Sequence, residues 1–257
     1  MIHPNPYQAY WDMVGQLLGR DPEHKASAIN LSGSPIPGWD ADRATRALFE
    51  ALDGPFWRKP ATRTSGNWVW REVTPKAATG NIEVGVERQV AEIGGADEWT
   101  CQMSTWSGVI GPRTNRRCAI DLVQRIGPDA YRFIELKVGS DYPLYALFEL
   151  LFYVLTYLHA RRHGFGGSGR YDVMQAKHLE LTVLAPEDWY GFRRRGQAQL
   201  HKFDHTWLVD SISAALAGLA HPLTIQIRFD RFAWANDVVS AGGDIRQRLK
   251  AADGHLS

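Results

Sequence analysis

The sequence contains few cysteines and has almost no net charge. Cys101 and Cys118 are the two thiols in 257 residues, too few for a disulfide framework. Each lies in an apolar, strand-like segment, so we expect both to be reduced and part of the core. The 29 Lys and Arg residues against 28 Asp and Glu residues give a formal net charge of +1. Such a chain has no general attraction for phosphate, so any polyanion must be bound by a local patch of cations.

Long hydrophobic runs are absent as well. The longest, 144–158, is shorter than the roughly 20 residues that span a bilayer, and Glu149 lies in its middle. We therefore expect a buried helix there and no association with a membrane. Residues 1–11 have no basic stretch followed by an apolar run, so no signal or transit peptide is expected, and a cytoplasmic location is the default.

The sequence does contain enough apolar residues for a sizeable core. Hydrophobic residues make up 44% of the chain and ten residues are tryptophan, which excludes a disordered protein. No internal repeat is visible, so one core with appendages is the default at this length. We divide the chain into an N-terminal helical or irregular extension at 1–78, a core domain at 79–235 and a C-terminal tail at 236–257.

Hydrophobic periodicity and turn residues predict the order of the helices and strands. After residue 78 the predicted order is α-β-β-β-α-β-α-β, which favours an α/β fold with a central mixed β-sheet flanked by helices. Two earlier helices, 6–18 and 40–52, make the N-terminal extension mainly helical. The core elements are predicted as helices at 81–93, 144–158 and 206–219, and as strands at 99–106, 117–124, 131–138, 178–184 and 223–229.

Three tryptophans, Trp57, Trp68 and Trp70, lie around a basic stretch of the N-terminal extension. Aromatic rings beside cations could stack on the bases of a nucleic acid. Because tryptophan is usually highly buried, the favoured interpretation is a partly buried lid on the core.

Charged residues interrupt two of the predicted core strands. Side chains alternate faces along a strand, so Glu135 and Lys137 project together from 131–138. Asp121 stands between Ile120 and Leu122 in the preceding strand. A buried charge is costly unless it is paired or bound to a metal, so these three side chains are candidates for a functional site.

The spacing of these residues resembles the signature of the PD-(D/E)xK nuclease superfamily, which has the restriction-endonuclease-like fold. Thirteen residues separate Asp121 from the triplet Glu135-Leu136-Lys137. In that superfamily a helix with a glutamate precedes a three-stranded meander, whose second strand carries the Asp and whose third carries Glu-x-Lys. The resemblance covers about residues 80–185, and Ile120 replaces the proline that usually precedes the Asp.

The helix after the third strand also resembles the exonuclease-like branch of the superfamily, which carries Gln-x-x-x-Tyr there. This chain has Glu149 and Tyr153 at that spacing, so a glutamate replaces the glutamine. Tyr145, Glu149, Tyr153 and Tyr157 follow one another at four-residue intervals, and we expect this stripe to face the acidic residues. The alternative is that the tyrosines fill volume and extend their hydroxyls to solvent.

The resemblance implies a metal site. Asp121, Glu135 and the backbone carbonyl of Leu136 would bind Mg²⁺, for which Mn²⁺ could substitute, because carboxylate and carbonyl oxygens are the ligands of hard cations. The ion would lower the pKa of a bound water and stabilise charge on the phosphate. Lys137 would orient or activate that water and neutralise the developing charge.

A glutamate of the helix at 81–93 would complete the coordination. Glu83 and Glu87 lie one turn apart on this helix. Glu87 is preferred because it lies in the middle of the helix, but the sequence leaves Glu83 open.

These implications define the expected function and partners. The chain would be a metal-dependent nuclease that hydrolyses phosphodiester bonds, with DNA as the expected substrate. The alternative is a catalytically silent nuclease fold that binds nucleic acid or another protein. A homodimer is left open, since no heptad or exposed apolar stripe marks an interface.

Several clusters of arginine could contact the phosphates of a nucleic acid. Each cluster alone is more often a solvated surface, and the sequence leaves both interpretations open. If they bind phosphate, the small net charge is the sum of an acidic metal site and a separate cationic track. The candidates are Arg113, Arg116, Arg117, Arg161, Arg162, Arg193 and Arg194.

Overall fold

A computed structural model describes residues 6–18, 40–52, 66–73, 81–105, 118–138, 143–164, 171–186, 191–193, 200–202, 206–232 and 238–253. The helices are α1 (Pro6–Leu18), α2 (Ala41–Leu52), α3 (Ile82–Gly94), α4 (Pro143–His163), α5 (Thr206–Ala220) and α6 (Val238–Asp253). The strands are β1 (Trp99–Ser104), β2 (Ala119–Gly127), β3 (Ala130–Leu136), β4 (His178–Pro186), β5 (Gly191–Arg193), β6 (Leu200–Lys202) and β7 (Thr224–Phe232).

The central sheet has five strands in the order β1-β2-β3-β4-β7. β1, β2 and β3 form an antiparallel meander, whereas β3, β4 and β7 run parallel to one another. The mixed α/β fold predicted from the sequence is therefore confirmed, and β3 occupies the middle of the sheet. β5 and β6 pair in a separate two-stranded sheet.

Successive side chains of β3 pack into two different layers. Tyr131 and Phe133 belong to an apolar cluster that also contains residues of α4 and α5. Ile134 and Leu136 belong to a second cluster, built with residues of α3 and α6. By this alternation the side chain of Glu135 lies on the α4 side of the sheet.

The N-terminal helices pack on this core. The Tyr10 hydroxyl of α1 donates a hydrogen bond to the carbonyl of Phe148 at 2.7 Å, and the Trp11 ring stacks on Tyr145 with 4.8 Å between centroids. Trp68 and Trp70 are only 1% and 3% exposed, so they are core residues and are buried more completely than a partly buried lid. Trp57 lies outside the described residues.

The predicted C-terminal tail contains a helix that the sequence did not indicate. Ala241 and Ile245 of α6 are fully buried in the cluster formed with α3. Gly242 permits the close approach of the two helices, because a Cβ there would lie 2.8 Å from Cγ of Gln89. Tertiary packing thus outweighs the low helix propensity of glycine at this position.

No helix in the described ranges is long and apolar enough to span a membrane.

A buried ion pair links the central strands on the α3 side of the sheet. Arg132 of β3 and Glu180 of β4 are both 0% exposed, and the guanidinium Nε donates to Oε1 of Glu180. The same guanidinium donates to the side-chain oxygen of Gln124 at 2.6 Å, and Arg228 lies 3.4 Å from the second oxygen of Glu180. Although burial opposes ionisation of Glu180, the hydrogen bond and charge of Arg132 outweigh it and lower the pKa of this carboxyl.

We expect Arg132→Met to lower the free energy of unfolding by about 3–5 kcal/mol at neutral pH, because it leaves Glu180 with less compensation for its buried charge. Because the pKa of Glu180 is lowered in the folded state, its ion pair contributes stability at pH values above 4.5, the ordinary pKa of a glutamate. This contribution is lost as the pH falls through the folded-state pKa. The difference between wild type and variant should therefore shrink in acid. Urea denaturation at several pH values measures it.

The control is Arg248→Met, which removes a surface pair with Asp244 (2.8 Å) on α6. An exposed pair contributes about 0–1 kcal/mol, so this variant should stay close to wild type. Equal losses in the two variants would contradict the structural role of Arg132.

Candidate functional site

β2 and β3 separate at Asp121 and Glu135. Their pairing ends with Leu122 opposite Ile134, and Asp121 and Glu135 are the next residues of the two strands. At this point the backbone N–H of Leu136 donates to Oδ2 of Asp121 at 2.9 Å. The hydrogen bond fixes the Asp121 carboxylate at the end of β3, beside Glu135.

Lys137 connects the end of β3 to α4. Its Nζ lies 2.6 Å from Oε1 of Glu135 and 2.9 Å from Oε2 of Glu149. Burial alone would lower the pKa of Lys137, but the charges of these two glutamates outweigh it and raise the pKa well above its ordinary value. The ammonium therefore keeps its proton at neutral pH.

α3 brings both of its predicted glutamates to this site. Asn81 caps the helix by accepting a hydrogen bond from the N–H of Glu83 at 2.9 Å. The Glu83 carboxylate accepts from the N–H of Val138 at 3.0 Å, directly after Lys137. Glu87 is 2% exposed and accepts from the side-chain amide of Gln102 at 2.6 Å.

The site holds more carboxyl groups than cationic groups, so burial and mutual repulsion favour the protonated carboxyls. Burial and then the charge of Asp121 raise the pKa of Glu87 to about 9. Burial raises the pKa of Asp121 to about 7 against the opposing charge of Lys137. Burial and Asp121 also raise the pKa of Glu135 well above its ordinary value. We name this set the acidic cluster: Glu83, Glu87, Asp121, Glu135 and Glu149, with Lys137 between two of them.

The acidic cluster has the donor chemistry for a hard divalent cation. Carboxylate oxygens are the side-chain ligands that Mg²⁺ prefers. Oε2 of Glu135 is buried without a hydrogen-bond partner in the described part of the chain, so it has a lone pair to offer a metal ion. Within those same residues, no group of three or more Asp, Glu, His or Cys side chains is arranged so that it could hold a metal ion.

Two residues of the predicted stripe on α4 lie at the acidic cluster, and the other two pack elsewhere in the core. Glu149 contacts Lys137, and Tyr153 is buried with a pKa raised by burial and then by the nearby glutamates of the cluster. Tyr145 instead stacks on Trp11 of α1, and the Tyr157 hydroxyl donates to the carbonyl of Val173 at 2.8 Å. Each four-residue step overshoots one helical turn by about 40°, so the stripe rotates away from the site at both ends.

The structure does not bring the arginines of α4 to the cluster. Arg161 donates to the carbonyl of Ala176, and the Arg162 guanidinium lies 4.6 Å from the centroid of the Phe49 ring. Arg161 is twelve residues from Glu149, which corresponds to about 18 Å along a helix. Arg113, Arg116, Arg117 and Arg194 lie outside the described residues, as does the side chain of Arg193 in β5.

Gln102 is a residue of the site that the sequence does not predict. The alternation of side chains along a strand does not predict the hydrogen bond of Gln102, because its partner Glu87 lies fifteen residues earlier, on a helix. A polar residue on an edge strand is common, so no pattern distinguishes this one.

The fold and the cluster define the class of the protein: a mixed α/β protein with a buried carboxylate-lysine site where two central strands separate. A scan against protein-family models, a search of curated proteins and a search of solved structures each found no match to this chain.

Proposed function

We propose that this protein is a Mg²⁺-dependent nuclease of the PD-(D/E)xK type that hydrolyses phosphodiester bonds in DNA. The observation that carries the proposal is the meeting of Asp121, Glu135 and Lys137 where β2 and β3 separate. The order of the surrounding elements, α3-β1-β2-β3-α4-β4, is the αβββαβ order that the sequence resemblance implies.

Asp121, Glu135 and the backbone carbonyl of Leu136 would hold the metal ion, with Glu87 as a further carboxylate. Mn²⁺ could replace Mg²⁺ at such a site. Once bound, the ion would supply a water molecule of lowered pKa and neutralise charge on the phosphate. The buried Glu135 oxygen without a hydrogen-bond partner supports this assignment.

Lys137 would act as a fixed positive charge. Held between Glu135 and Glu149, its ammonium group can donate a hydrogen bond to the attacking water or to a phosphate oxygen. Attack by the water on phosphorus forms one P–O bond and breaks another, and negative charge on the phosphate oxygens increases in between. A preorganised cation stabilises that charge without reorganising.

Glu149 extends this role of the lysine. Glu149 stands where the exonuclease-like branch that this chain resembles has glutamine, which adds negative charge beside the proposed metal site. Because its carboxylate lies 2.9 Å from Nζ of Lys137, the added charge helps to hold the ammonium in place.

Cleavage assays on defined substrates test the proposal. Supercoiled plasmid, linear duplex DNA, single-stranded DNA and RNA are incubated with Mg²⁺ or with EDTA and wild-type protein, Glu135→Gln, or the matched control Glu92→Gln. Glu92 is an exposed residue of α3, so its variant should behave like wild type. We expect DNA cleavage in Mg²⁺ alone, with Glu135→Gln slowed by about 100-fold or more, since such electrostatic interactions each contribute on that order.

Equal cleavage by all three proteins would contradict the proposed site. Wild-type protein that binds DNA without cleaving any substrate would favour the alternative of a silent nucleic-acid-binding module.

A further inference from the structure

Gln102 has a backbone conformation that is rare outside glycine. Its φ is +52°, in the left-handed region, although it lies within β1. Such a conformation is strained for a non-glycine residue and persists only where the surroundings impose it. Cys101 pairs with Leu122 and Met103 pairs with Ile120, so the register places Gln102 opposite Asp121. The strained residue therefore lies beside the acidic cluster.

The side chain of Gln102 connects the edge strand to α3. Its Nε2 donates to Oε2 of Glu87 at 2.6 Å. Gln102 is exposed, whereas Glu87 is 2% exposed, so the amide approaches the carboxylate from the solvent side. A neutral donor fixes the position of the Glu87 carboxyl group and, unlike a Lys or Arg side chain, places no positive charge where a cation would bind.

We infer that Gln102 is a positioning residue, which holds the Glu87 carboxylate beside Asp121 so that both can bind one divalent ion. This inference rests on the proposed function, because it assigns Glu87 to the metal. This role accounts for the left-handed backbone, because the residue with the positive φ is the one whose side-chain amide contacts Glu87. Groups that orient metal ligands in this way typically contribute 10- to 100-fold to metal affinity or activity.

Two variants distinguish the contribution of the Gln102 side-chain amide from that of its backbone conformation. Gln102→Met keeps a side chain of similar length without the donor. Gln102→Gly also removes the donor, but glycine adopts a positive φ without strain, so this variant guards against a loss caused by misfolding. Gln226→Met is the control, because Gln226 is an exposed residue of β7, at the opposite edge of the sheet.

Mn²⁺ binding is monitored through the electron paramagnetic resonance signal of the free ion. The Mg²⁺ dependence of DNA cleavage is measured in parallel. We expect both Gln102 variants to raise the Mn²⁺ dissociation constant and the Mg²⁺ concentration for half-maximal cleavage by roughly 10-fold or more. Cleavage at saturating Mg²⁺ should recover to near the wild-type rate, since the reacting groups are intact. The Gln226→Met control should match wild type in both measurements.

Unchanged Mn²⁺ affinity in both variants would overturn the role of Gln102, and the nuclease proposal would stand if the wild type still cleaves. A loss of affinity confined to Gln102→Gly would also overturn it, since the amide would then be irrelevant. Wild-type protein that binds Mn²⁺ without cleaving refutes the nuclease, while the variants' affinities still decide the role of Gln102. Wild-type protein that binds no Mn²⁺ overturns both.

Discussion

Lys137→Met is expected to slow DNA cleavage by about 10²- to 10⁴-fold at saturating Mg²⁺, the range that a positioned proton-handling or charge-stabilising group contributes. Methionine has a similar length and no charge, so the variant removes the ammonium that lies 2.6 Å from Glu135 and 2.9 Å from Glu149. The carboxylates assigned to the metal remain. Mn²⁺ affinity should therefore be retained or increased while the rate falls, and single-turnover kinetics beside Mn²⁺ binding measures the two effects separately.

The control for this variant is Lys177→Met, which breaks an exposed pair with Asp129 (2.6 Å) at the start of β4. A double variant, Lys137→Met with Glu149→Gln, guards against misfolding because it leaves no unpaired charge at position 149. If Lys137→Met cleaves DNA as fast as Lys177→Met, the ammonium has no role in the chemistry.

Mg²⁺ is expected to stabilise the wild-type protein, and more strongly as the pH rises. The pKa values of Glu87 and Asp121 are raised to about 9 and about 7 from their ordinary values of 4.5 and 3.8. The folded state thus binds protons more tightly than the unfolded state, so the metal-free protein loses stability as the pH rises from about 4 towards 9. Mg²⁺ binds the ionised carboxylates and opposes this loss.

At a Mg²⁺ concentration 100-fold above its dissociation constant, the stabilisation is about 2.7 kcal/mol, or roughly 5–10 °C in melting temperature for a chain of this size. Thermal melts in EDTA and in Mg²⁺ at pH 6 and pH 8.5 measure it. Glu87→Gln should be more stable than wild type in EDTA at pH 8.5 and should gain less from Mg²⁺. The exposed Glu92→Gln should follow wild type. A Mg²⁺ effect that is absent, or equal at the two pH values, would contradict the metal assignment.

The core helices and strands could be predicted because their apolar residues recur with the period of a helix or of a strand. β3 alternates between two packed layers, and the residues of α3 that bury themselves, Val86 and Val90, recur at helical spacing. The resemblance of their spacing to the PD-(D/E)xK signature implied the meeting of Asp121 with Glu135, whereas strand alternation predicted only that Glu135 and Lys137 share a face. Local periodicity therefore predicted most of the sheet, and the resemblance predicted the centre of the site.

The parts that were missed depend on contacts between distant segments. α6 contains Gly242 and Gly243, which disfavour a helix locally, and it forms because α3 packs against it. β5 and β6 have three residues each, too few to show a period. The positive φ of Gln102 and its bond to Glu87 are equally invisible in a strand pattern. The stripe from Tyr145 to Tyr157 was predicted too long because helical rotation carries its ends off the site.

Anomalous diffraction from crystals of the wild-type protein grown with Mn²⁺ tests most directly whether the acidic cluster is a metal site. We predict an anomalous peak between Asp121 and Glu135, at roughly 2.0–2.3 Å from a carboxylate oxygen of each and close to the carbonyl of Leu136. A crystal that shows no manganese at this position, or manganese bound only elsewhere, would contradict it.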